Sequence, residues 1–175
     1  MHQNQIRRLT LTAMFIALGY LLPFLTGQIP QFGAMLSPMH IPALLCGFVC
    51  GWQYGLVAGA IMPLLRSATL GMPPMFPTAV AMAFELAAYG CAAGLLYRAL
   101  PKKIDFVYVA LVLSMLIGRA VWGLASAVLM MGTENAFTTQ AFLAGAFINA
   151  WPGIVLHILV IPPVVLGLRR AKLMD

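Results

Sequence analysis

From Leu9 to Leu168 one apolar stretch follows another, with only short polar or Gly/Pro-rich breaks between them. Most are long enough to cross a bilayer, which takes about 20 residues. Composition agrees: 62% of the residues are hydrophobic and 8% are charged, whereas a soluble domain carries about 25% charged residues. Lipid leaves only helices or closed barrels as spanning structures, and the period-2 alternation of barrel strands is absent. The expected fold is therefore all-α and integral to the membrane. A bundle of about six transmembrane helices would form a single membrane domain over residues 1–175, with no soluble part.

The breaks place the spans. The first runs from about Leu9 to Leu25 and ends in the loop Thr26 to Gly33, whose Gly and Pro residues mark irregular backbone. That loop is uncharged and moderately apolar, so it is expected to pack on the protein and cover a cavity. The block from His40 to Leu65 is too long for one span and divides near Gly51–Gly55 into two. A fourth span follows the Pro-rich turn Leu70–Pro77 and stops before Pro101, since proline cannot continue a helix. A fifth covers about Phe106 to Met131. After the polar loop Gly132–Asn135, a sixth covers about Thr139 to Leu168, with interruptions expected at Trp151–Pro152–Gly153 and at Pro162–Pro163.

Charge supplies the orientation. With both termini in the cytoplasm, Arg7, Arg8, Arg98, Lys102, Lys103, Arg169, Arg170 and Lys172 all fall on the inner side, as the positive-inside rule requires. These cations sit at segment ends without a basic face, so the net charge of +6 reads as topology and not as nucleic-acid binding. Cys46, Cys50 and Cys91 lack metal or redox spacing and read as small apolar residues. The first span has no cleavage site and is expected to remain as a helix. There is no HExxH, GxSxG or P-loop motif, and no metal or cofactor is expected. With four acidic residues, three of them in loops or at the chain end, an enzyme is improbable.

Arg66 and Arg119 are the basic residues that topology leaves unexplained. Ionisable groups within a membrane are costly and mark wet cavities or ion pairs. Together with Glu85 these arginines are candidates to border one outward-facing pocket, and Glu85 with Arg119 could equally form a structural ion pair. His40, Tyr89, Trp122, Asn149 and Trp151 fall in or near the same outward half and form a second candidate group, since small-molecule sites combine aromatic walls with a few aimed polar groups. Anchoring at the interface or plain packing would explain these residues as well. His157 is expected to serve helix packing. On the first span, Ala13 and Ala17 have the small-xxx-small spacing that lets another helix approach closely.

Leu9–Ala17, Met39–Phe48, Pro63–Ser67, Gly71–Pro77 and Ala81–Leu86 together resemble the substrate-binding S component of energy-coupling factor (ECF) vitamin transporters, over essentially the whole chain. The resemblance implies a plasma-membrane protein that binds a vitamin from outside in a pocket capped by the loop Gly27–Pro38. It also implies docking on a T subunit, driven by two ATPase subunits, through the face carrying Ala13 and Ala17. The sequence is most similar to pantothenate-type members, and arginines suit a carboxylate. Niacin, folate, lipoate, pyridoxine and hydroxymethylpyrimidine stay open as ligands. A stand-alone ion-coupled carrier of a small organic anion and a structural membrane subunit are the readings from other classes.

Overall fold

The computed structural model describes residues 2–26, 35–131, 138–171 and 174. Most of the loop expected to cap the pocket, the polar loop after the fifth span, and Lys172 lie outside the described residues. Among those described there is no strand, and the chain is an all-α membrane bundle.

Helix α1, His2–Leu21, buries Thr12 and Phe15 at helical spacing, and Gly19 on the same face lets Met62 approach. Thr12 Oγ1 donates back to Arg8 O and accepts from Cys46 Sγ at 3.8 Å. Ala13 and Ala17 lie on the opposite, exposed face. At Pro23 the α-helix gives way to a 3-10 turn, Leu22–Thr26, because proline lacks the N–H that the next α-bond needs.

Helix α2, His40–Cys50, has 11 residues and is apolar all round. At about 16 Å it is far shorter than the hydrocarbon core. Almost every residue in it is buried, as a helix without a polar face must be. The chain reverses through Gly51 alone, at φ 100, into α3, Trp52–Leu70. Gly71, in the left-handed region at φ 70, closes α3 by donating its N–H to Ser67 O.

An extended residue, Phe76, breaks the turn before α4, Val80–Ala99. Helix α4 is the centre of the bundle and packs on α2, α3 and the helix that follows it. Its approach to α2 and α3 runs along a seam of glycines. A Cβ on Gly47, Gly55 or Gly90 would collide with backbone of the facing helix, as would one on Gly59 or Gly94. Small residues allow this closeness, which in lipid replaces the hydrophobic drive of a soluble core.

Helix α5, Ile104–Leu129, begins with Asp105 in its first turn, where a carboxylate suits the helix dipole. Its outer surface exposes Val109, Leu113, Leu116, Leu124 and Val128. A soluble protein rarely leaves so continuous an apolar strip in water.

The sixth crossing is built in two pieces: α6, Thr139–Leu143, runs through a π-helical turn, Ala144–Ile148, to α7, Trp151–Arg170. Here the structure corrects the expected interruptions. The break falls at Asn149–Ala150, before Trp151, and Pro152 occupies the first turn of α7, where its missing N–H has no helical partner to lose. Pro162 and Pro163 lie inside a continuous helix, since neighbouring helices and local adjustments tolerate proline in membrane segments.

Candidate functional site

The site begins at the entry to α2. Ser37, at φ 46, turns the chain so that its carbonyl accepts from the His40 N–H at 3.0 Å and lies 3.3 Å from His157 Nε2 on α7. Gly153 lets this segment pass close to α7, for a Cβ there would meet Met35 O at 2.6 Å. His40 is thereby delivered to the middle of the bundle, where its ring stacks on His157 with centroids 5.9 Å apart. Tyr89 meets the same ring edge-on at 5.1 Å.

Glu85, one turn before Tyr89 on α4, is the hub. It is 2% exposed, and its Oε1 lies 2.9 Å from Arg119 Nη1 and 3.3 Å from His40 Nε2. Tyr89 is within hydrogen-bonding reach of the same carboxylate. Gly118 makes room for the Tyr89 ring against α5, with a Cβ position 2.5 Å from Cδ1. Four helices thus contribute side chains to one buried group of ionisable and aromatic residues, and the Ser37 turn adds a carbonyl.

That group is close in distance and incomplete in hydrogen bonding. Glu85 Oε1 and His40 Nε2 meet their charged partners without hydrogen-bond orientation, while His40 Nδ1 and Arg119 Nε are buried with no partner among the described residues. An unpartnered atom of this kind costs about 1–3 kcal/mol. A structural ion pair alone would leave that cost standing; a polar ligand would remove it.

Arg119 also reaches the rim of a cavity of about 180 Å³ between α5 and α7, walled by Val112, Met115, Leu116, Phe147, Ile154 and Ile158. The arrangement is a half-open apolar groove whose lining includes one arginine, backed by a carboxylate. Apolar walls with few aimed polar groups are the usual make-up of a small-molecule site.

The other sequence candidates are placed elsewhere. Arg66 is buried on α3, but its Nη1 donates to Tyr20 O at 2.8 Å and its guanidinium lies 5.0 Å from the Phe24 ring centroid. It satisfies a carbonyl at the end of α1, where a cation also suits the helix dipole. Trp122 stacks on Phe142, centroids 6.2 Å apart, and packs against Gly145, joining α5 to the π-helical turn beside the cavity. Trp151 is 61% exposed and Asn149 is exposed as well. His157, expected to serve packing alone, and the Ser37 carbonyl are members of the cluster that sequence reasoning missed. A histidine in the apolar run of the last span was the available signal for the first; nothing in the sequence pointed to the second.

Residues 7–165 match the family model of the ECF transporter substrate-specific component. The chain belongs to that family. No curated protein and no solved structure matches it. As an S component it is part of a membrane transporter and not an enzyme, and its family binds a specific small substrate and works with an ECF module. In this S component several helices meet at the buried cluster, and buried polar atoms stand beside an apolar groove.

Proposed function

We propose that this S component captures a small vitamin or vitamin precursor outside the cell. Import then follows docking on a T subunit with two ATPase subunits. In this reading the chain is a multi-pass plasma-membrane protein with both termini in the cytoplasm. The observation that carries the site is Arg119: Glu85 holds its Nη1, while its Nε stays buried and unpaired at the edge of the apolar cavity. A ligand with a carboxylate at one end and a branched aliphatic body fits that contrast, because guanidinium donors suit carboxylate oxygens. Pantothenate has this form. The cancellation of the Arg119 charge by Glu85 favours a second reading, a neutral heterocycle such as pyridoxine or hydroxymethylpyrimidine set among His40, Tyr89 and His157.

Calorimetry and thermal shift of the purified protein against B vitamins and their precursors test this directly. One carboxylate vitamin is expected to bind near-stoichiometrically; binding of a neutral heterocycle would select the second reading. Ile158→Trp, which fills the cavity without touching the Glu85–Arg119 contact, should weaken that binding by at least about tenfold, on the order of 1.4 kcal/mol. Unchanged affinity would remove the cavity from the site. If no vitamin binds, uptake by vesicles lacking ATPase subunits would point to an ion-coupled carrier.

The exposed position of Ala13 and Ala17 supports α1 as the docking face. Two alanines one turn apart leave a groove that a helix of the T subunit can enter. Ala13→Trp fills that groove and should abolish uptake in vesicles containing the full ECF module, with vitamin binding intact. Wild-type uptake by this variant would place the docking surface elsewhere.

A further inference from the structure

The end of the bundle opposite the substrate cluster carries a second cleft, of about 380 Å³. Arg8 from α1, Arg98 from the last turn of α4 and Lys102 from the following turn all line it. Positive-inside topology explains why cations lie at this end. It does not explain why cations from three separate segments converge on one cavity. Trp52, Tyr54 and Tyr97 frame the cleft, and the Lys102 ammonium lies 5.5 Å from the Tyr97 ring centroid. Its lining also includes Trp52, Gln53 and Tyr54 at the start of the 19-residue α3, which has no side-chain cap. Backbone N–H groups at that position have no partner within their own helix. No acidic side chain is among the lining residues; Asp105, in the first turn of α5, is outside it.

We infer that this cleft binds the phosphodiester headgroup of an anionic glycerophospholipid. Basic pockets between helices at the inner membrane surface hold such headgroups, and aromatic side chains favour the same depth. A lipid is indicated over a free phosphate because Leu56, two residues after the lining residue Tyr54, and Leu95, next to the lining residue Gly94, are exposed and apolar. They give acyl chains a path down the outside of α3 and α4.

The test uses the full chain in neutral detergent, titrated separately with phosphatidylglycerol, phosphatidylcholine and inorganic phosphate while thermal unfolding is followed. Phosphatidylglycerol is expected to stabilise saturably, with an effect that weakens as salt is added. Arg98→Gln combined with Lys102→Gln should lower its apparent affinity by about thirtyfold, from about fivefold per charge. Arg170→Gln, at the same end but outside the lining, should leave it unchanged. Equal stabilisation by phosphatidylcholine, reproduction of the effect by inorganic phosphate, or an equal loss in the Arg170 variant would each overturn the proposal. The lipid comparison on unaltered protein decides the matter even if the double variant does not fold.

Discussion

Glu85→Ala is expected to destabilise the bundle by about 3–5 kcal/mol, because it leaves the Arg119 guanidinium buried without its compensating charge. Arg119→Ala should do the same for Glu85, which retains the longer approach of His40 and the Tyr89 hydroxyl but no permanent positive charge. The informative experiment is a cycle with methionine, whose flexible side chain fills either position. Glu85→Met and Arg119→Met should each lower the unfolding temperature steeply, whereas the double replacement should recover much of the loss, since a well-packed apolar pair often equals or exceeds a buried ion pair in stability. Vitamin binding should not return with stability. That separation would show that the charges are kept for the ligand and not for the fold. If the two single losses simply add in the double variant, the groups are not coupled.

Gly90→Leu should prevent folding altogether. The new side chain would be directed into the backbone of Gly55, and neither helix can yield without opening the seam that holds α2 and α3 against α4. Overpacking usually costs about 1–3 kcal/mol, and a collision with backbone belongs at or beyond the top of that range. Gly167→Leu is the matched control, since a Cβ there meets nothing within 4 Å. Leucine also has the higher helix propensity by somewhat under 1 kcal/mol, so this variant should be as stable as the parent or slightly more so. Yield of monodisperse protein and thermal unfolding in detergent would compare the two. Normal folding of the Gly90 variant would mean that the seam is looser than described.

The spans could be read from the sequence because lipid forces helices and because Gly and Pro mark where they end. Side-chain direction could not. Arg66 is a candidate to border a pocket because topology leaves its charge unexplained, yet whether it faces a pocket or a neighbour depends on the rotation of α3. In a helix that is apolar on most sides, periodicity carries little of that information. The pairing of Glu85 with Arg119 was one of two readings of their charges within the spans, while His40 was placed in a separate group. Its contact with Glu85 arises from the shortness of α2, which begins at this level of the bundle. His157 was expected to serve packing, because one histidine in an apolar run gives no sign of its neighbours. It lies six residues, about 9 Å, into α7, with its ring against that of His40.

The pairing of Glu85 with Arg119 also bears on the electrical side of transport. Moving one elementary charge through the whole membrane field involves about 2.3 kcal/mol per 100 mV. At 2.9 Å the two opposite charges travel as one neutral unit wherever this part of the bundle moves. Their contribution to any gating current is therefore close to zero. In the proposed transport step a polarised cell would neither drive nor resist movement through this pair, and the charges of Arg66 and of the bound ligand would remain to set the voltage dependence.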